Sequence, residues 1–194
     1  MLKVGITGGI GGGKSTVSKI VTLFGYPVYD SDEQARMLMV NSETLVAQIK
    51  QLLGNDVYVN GQLDRRKIAS KVFSNQRLLN HLEQIVHPAV QKHFNAWCLV
   101  QNTPIVFKEA AILFESGGDK FLDYVICVTA DEQTRKARVI KRDNMPHDEV
   151  NKRMDKQWTD QQKIDRSDFV IYADDEHSVI RQVKDVLSLL EAKL

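Results

Sequence analysis

The eight residues Gly8-Gly9-Ile10-Gly11-Gly12-Gly13-Lys14-Ser15 match G-x-x-x-x-G-K-[ST]. Glycines in such a run let backbone N–H groups converge on a polyphosphate, and a helix starting behind them adds its positive N-terminal end. In that arrangement the Lys14 ammonium reaches the β- and γ-phosphates, and the Ser15 hydroxyl meets a Mg²⁺ ion. The motif predicts a site for a nucleoside triphosphate and leaves open what the triphosphate is used for.

Phosphoryl transfer also needs the acceptor aligned, its proton removed and the developing charge neutralised. Asp32 is the candidate base, since a carboxylate on the rim beside the glycine loop could take the proton of an acceptor hydroxyl. Asp30 has two readings, contact with the hydration shell of Mg²⁺ or a cap on a helix expected to begin near Glu33. Arg36 lies one helical turn beyond Asp32, where it either pairs with that carboxylate at the surface or grips a substrate phosphate. Glu109 is the carboxylate immediately at the end of the third expected strand, which makes it the candidate for the metal shell. His87 precedes Pro88 at an expected helix junction, where it fixes a turn or touches substrate.

The elements that must position these residues are readable from periodicity. Leu2 to Thr7 reads as a buried strand, and Val17, Ile20, Val21 and Phe24 fall on one helical face behind the glycine loop. Gly25 and Pro27 mark a turn, and Val28-Tyr29 reads as a second strand ending at Asp30-Ser31-Asp32. Loops at the carboxyl ends of parallel strands are where ligands bind, so the aspartates are expected on the same rim as the glycines. From Glu33 to Val100 the pattern is mostly helical, interrupted by Val59-Asn60-Gly61-Gln62 and by His87-Pro88. One crossover rarely needs so many helices, so this block is expected to be an insertion beside the sheet that forms the acceptor side of the site. Ile105 to Phe107, Tyr124 to Val128 and Phe169 to Tyr172 read as three more strands, and a last helix carries Val179, Val183, Val186, Leu187 and Leu190.

Between the fourth and fifth strands, residues 135 to 166 carry ten lysines and arginines against six acids, with a break at Met145-Pro146-His147. A basic helical hairpin there could close over phosphates as a lid; the alternative is a solvated charged surface. The expected fold class is therefore α/β, a P-loop NTPase-type parallel five-stranded sheet flanked by helices, with a helical substrate-binding insertion and a helical lid. The expected boundaries are a core of about 1–32, 101–134 and 167–194, an insertion of about 33–100 and a lid of about 135–166.

The composition of the 194 residues, 43% hydrophobic and 26% charged with a formal net charge of +1, is that of an ordinary globular protein. It gives no reason to expect nucleic acid or a membrane as partner. The chain has no apolar run of membrane-spanning length and goes from Met1 straight into a strand, so a cytoplasmic location is expected. Cys98 and Cys127 lack metal-ligand spacing and are expected to be buried packing residues. Oligomeric state is left open.

Taken together the residues resemble the dephospho-coenzyme A kinases. The opening Gly5 to Val17 is similar to that family's N-terminus, with Gly12 where serine or alanine is usual. The family's Asp-x-Asp and Ala-Arg are matched by Asp30-Ser31-Asp32 and Ala35-Arg36. Leu63-Asp64-Arg65, Val72-Phe73, His87-Pro88 and Leu113-Phe114-Glu115-Ser116-Gly117 match in order, as do Arg138, Arg142-Asp143 and the lid glutamine at Gln157. Besides Gly12, two departures matter: Glu109-Ala110-Ala111-Ile112-Leu113 replaces the usual Asp-Ile/Val-Pro-Leu-Leu, and Ala173 stands where an Asn is usual.

The resemblance implies ATP-dependent phosphorylation of the ribose 3′-hydroxyl of dephospho-coenzyme A, the last step of coenzyme A synthesis. It implies ATP and Mg²⁺, a small-molecule partner, Gly11, Gly12, Gly13, Lys14, Ser15, Thr16 and Arg142 around the nucleotide, and Asp32, Lys14 and Arg138 in catalysis. Asp32, Arg36 and His87 are then the substrate contacts, with Ser15 toward the metal; Glu109, in the departing segment, keeps its metal-shell reading from its place at the strand end. Two other classes use the same parts. One is another small-molecule kinase, and the other is an assembly or switch NTPase, although no Asn/Thr-Lys-x-Asp guanine signature is apparent.

Overall fold

In a computed structural model that describes residues 1–73 and 75–194, with Phe73 to its backbone only, the strands are β1 (Leu2–Thr7), β2 (Val28–Asp30), β3 (Tyr58–Val59), β4 (Gln62–Leu63), β5 (Ile105–Glu109), β6 (Tyr124–Thr129) and β7 (Phe169–Tyr172). The helices are α1 (Lys14–Leu23), α2 (Ser31–Asn41), α3 (Glu43–Leu53), α4 (Arg65–Phe73), α5 (Gln76–Leu99), α6 (Glu132–Asp143), α7 (His147–Met154), α8 (Asp160–Ile164) and α9 (Val179–Glu191). The described residues divide into two compact units, Met1–Asp30 with Gln101–Leu194, and Ser31–Val100.

The first unit is a five-stranded parallel sheet in the order β2-β5-β1-β6-β7. Its inner strands are continuous apolar runs because helices cover the sheet. Val4, Ile6, Ile105, Phe107, Ile126, Val128 and Ile171 form one core with Val17 and Val21 of α1 and Val183, Val186, Leu187 and Leu190 of α9. The parallel arrangement puts every strand's carboxyl end on one edge. There Glu109, the last residue of β5, sits opposite Ile6 of β1 on one side and Asp30 of β2 on the other. The five expected strands are all present. Phe24 differs from expectation: it follows α1, which ends at Leu23, and is 42% exposed.

The second unit is built on α5, whose Leu82, Val86, Val90, Phe94 and Cys98 recur every fourth residue and are all buried. The structure differs from or extends the expectation at three places here. His87-Pro88 does not interrupt the helix: Pro88 lies inside α5, and both it and Gln84, whose carbonyl loses its N–H partner, are on the exposed side where water can replace the bond. The stretch around Asn60-Gly61 is more than a turn. Both residues have positive φ, 50° and 76°, the conformation of a two-residue hairpin loop, and they join β3 to β4. The helix expected near Glu33 begins at Ser31, so Asp32 lies in its first turn and not in a loop. Of the Val72-Phe73 match, the Phe73 side chain lies outside the described residues.

Candidate active site

β1 ends at Thr7 and the glycine loop follows directly from the centre of the sheet. Gly11 and Gly13 have φ of 78° and 96°, in the left-handed region where a side chain is strained, and Gly13 forms the N-cap of α1. Without a side chain at that cap, and with no acid in the first turn, the positive end of α1 is left for a ligand. The Lys14 ammonium arches back over the loop and donates to the Gly8 carbonyl at 2.9 Å and the Gly9 carbonyl at 3.3 Å.

The other wall comes from α6. Asp131 caps this helix by accepting the Thr134 N–H at 2.9 Å, and its carboxyl is held below the usual range by that hydrogen bonding. Helical spacing then turns Arg138, Lys141 and Arg142 to one side. With Gly11, Gly12, Gly13, Lys14, Ser15 and Thr16 they line a cavity of about 560 Å³. Four cations and a helix N-terminus surround it, and none of its described lining residues is acidic. Arg142 is steered by its neighbour: its Nε and Nη2 donate to the Asp143 carboxylate at 2.7 and 2.9 Å, which lowers the carboxyl and raises the guanidinium.

The structure thus brings Gly11–Thr16, Arg138 and Arg142 around one cavity and adds Lys141, which sequence reasoning counted within the basic run without singling it out. Asp30 and Glu109 are cross-strand neighbours on the strand-end edge of the same unit. Asp32, Arg36 and His87 belong to the second unit. Asp32 and Arg36 are exposed in the first two turns of α2, and His87 is half-buried in α5.

The chemistry of these residues fits a nucleoside triphosphate with its metal. A polyanion matches the cation-lined cavity and the uncapped helix end. Among the described residues no group of three His, Cys, Asp or Glu forms a metal cage. The Ser15 and Thr16 hydroxyls line the cavity, and the Asp30 and Glu109 carboxylates end neighbouring strands of the same unit; these are the kind of few hard oxygen ligands that Mg²⁺ accepts alongside phosphate and water.

Beneath the loop lies a buried ionic network that the sequence did not disclose. Arg135 Nη2 meets Asp160 Oδ2 at 2.8 Å, and Lys163 Nζ meets Glu115 Oε1 at 2.7 Å, with the Lys163 side chain fully buried. Arg135 and Lys163 looked like ordinary members of a charged run; their partners are 25 and 48 residues away, and nothing in the spacing links them.

A glycine loop between a central parallel strand and a helix, faced by basic residues of a later helix, defines a P-loop kinase. The family model described as dephospho-CoA kinase matches residues 2–178. A dephospho-CoA kinase of Bacteroides fragilis is 33% identical over 194 residues, covering 100% of this chain and 95% of that protein. A crystal structure from Thermus thermophilus superposes with a TM-score of 0.86 at 33% identity, over 100% of this chain and 97% of the other. The structure of a dephospho-CoA kinase from Campylobacter jejuni shares the fold, with a TM-score of 0.70 at 22% identity over 99% and 98% of the two chains. The chain belongs to the dephospho-CoA kinase family. Kinase membership brings ATP as phosphoryl donor, and none of the described helices is long and apolar enough to cross a membrane.

Proposed function

We propose that this chain transfers the γ-phosphoryl group of ATP to the ribose 3′-hydroxyl of dephospho-coenzyme A, giving coenzyme A and ADP. The observation that carries this reading is the cation-lined cavity over Gly11–Thr16 in a chain that matches the family almost end to end. Lys14 and the N–H groups of Gly11 to Thr16 hold the triphosphate, and Arg138 and Arg142 neutralise charge on the transferred group. Mg²⁺, when bound, screens the phosphate charge; the Ser15 hydroxyl would hold it, with Glu109 reaching its water shell. Asp32 takes the proton of the acceptor hydroxyl, while Arg36 and His87 contact the acceptor from the helical residues 33–100. Within residues 135–166, α7 and the turn before it act as the lid, while Arg135 and residues 157–163 stay anchored to the sheet unit.

The test is purified protein with Mg-ATP and a panel of alcohol acceptors, read by product mass. ADP formed one-for-one with a phosphorylated product only from dephospho-coenzyme A is expected. Acceptor-independent ADP release would instead place the chain among hydrolytic NTPases. Asp32→Asn is expected to lower kcat by about 10² or more with the Kd for ATP nearly unchanged. Near-normal turnover would remove Asp32 from proton transfer.

A further inference from the structure

Besides the cavity-lining residues, the glycine loop is packed against the ends of β6 and β7 at Val128 and Ala173, and against Arg135, Gln157 and Asp160. The Gln157 side chain accepts the Ile10 N–H at 2.9 Å through its Oε1. Gly9 lies so close to the Arg135–Asp160 ion pair that a Cβ there would sit 2.2 Å from Arg135 Nη1 and 2.9 Å from Asp160 Oδ1. Asp160 is itself tied to the sheet, because Thr129 Oγ1 at the end of β6 donates to its Oδ2 at 3.0 Å.

These contacts have a rigid base. Trp158 N–H donates to Glu115 Oε1 at 2.9 Å, and its ring stacks on Phe114 at 5.9 Å between centroids. Thr159 caps α8 reciprocally with Gln162, and four residues on Lys163 is anchored to Glu115 and to the Ala111 carbonyl. Residues 157–163 therefore join the connection after β5 to the glycine loop. A loop with several consecutive glycines has many conformations to lose on binding. One whose arch is already held loses fewer, and its affinity for phosphate rises accordingly.

We propose that Gln157 is a positioning residue for nucleotide binding: its side-chain oxygen holds the Ile10 N–H and so keeps the phosphate loop in its receiving shape before the triphosphate arrives. This rests on the kinase reading above but acts on the ground state, through the loop and not through the transferred group. Gln157→Met keeps the length of the side chain and removes the acceptor, while Gln157→Glu retains an acceptor.

The experiment measures amide exchange at Ile10 by NMR, the Kd for Mg-ATP by calorimetry, and steady-state kinetics with dephospho-coenzyme A. In Gln157→Met we expect Ile10 exchange to accelerate about tenfold or more while Val21 in α1 is unmoved, and the Kd and KM for ATP to rise about 3- to 10-fold, as for one neutral hydrogen bond. The kcat at saturating ATP is expected to stay within about threefold, the pattern of lost ground-state binding. Gln157→Glu should restore Ile10 protection. The proposal is overturned by unchanged Ile10 exchange and ATP affinity in Gln157→Met, by an equal loss of protection at Val21, or by failure of Gln157→Glu to restore it. If wild-type protein binds Mg-ATP but phosphorylates no acceptor, the kinase reading fails, while the exchange and calorimetry still decide the role of Gln157.

Discussion

Cys127 shows how far a single position was readable. Its place in an apolar strand pointed to a packing residue, and it is fully buried with a thiol pushed up to about 11, first by burial and then by the charge of Asp160. A raised thiol pKa means less thiolate at every pH below it, and the thiolate is the reactive form. Cys98 is also buried, at 4% exposure. Native protein at pH 8 is expected to react with a disulfide dye at least about 100-fold more slowly than protein unfolded in guanidinium, followed by absorbance; fast labelling of either thiol in the native state would contradict this. The glycine loop's shape and its place before α1 were equally legible because they depend on a local, contiguous run. Asp160 and Glu115 were not, since a surface carboxylate and a buried one look alike until the partner that neutralises it is placed in space.

At the level of elements, periodicity found what is long and regular and missed what is short. α5 carried a clear apolar stripe, and Phe94 on it is 0% exposed and stacked on Trp97 at 6.0 Å. Phe94→Ala is expected to destabilise the protein by about 3–5 kcal/mol, seen as a lower midpoint in urea; a cost under about 1 kcal/mol would mean that this stripe does not hold the helix. The Asn60-Gly61 signal was visible, but strands of two residues on either side are too short to show alternation. Pro88 misled for a physical reason: the rule against proline in a helix assumes a buried carbonyl one turn back, and here that carbonyl is on the wet side. The break at Met145-Pro146-His147 behaved as expected because Pro146 stands at the N-cap of α7, where its missing N–H costs nothing.

On the scale of the whole molecule, strand order was beyond reach of the pattern, since each buried strand is a similar apolar run and pairing depends on side chains far apart in the chain. The same holds for the Lys163–Glu115 pair that ties α8 to the segment after β5. Lys163→Met strands the Glu115 carboxylate and is expected to cost about 3–5 kcal/mol, whereas adding Glu115→Gln, which still accepts from Trp158, should recover more than half of it by calorimetric melting. No recovery in the double variant would show that the lysine acts through packing alone. A last consequence follows from the seat of β1 at the middle of the sheet, with Leu2 registered against Ile105 and Val4 against Tyr124. β1 leaves the ribosome well before β5 and β6, the two strands it pairs with, while Ser31–Val100 is contiguous and has its own contacts earlier. During synthesis, then, the helical unit can be in place while the nucleotide-handling loop is still unformed. The nascent chain gains its grip on nucleotide only once β5 and β6 have been made.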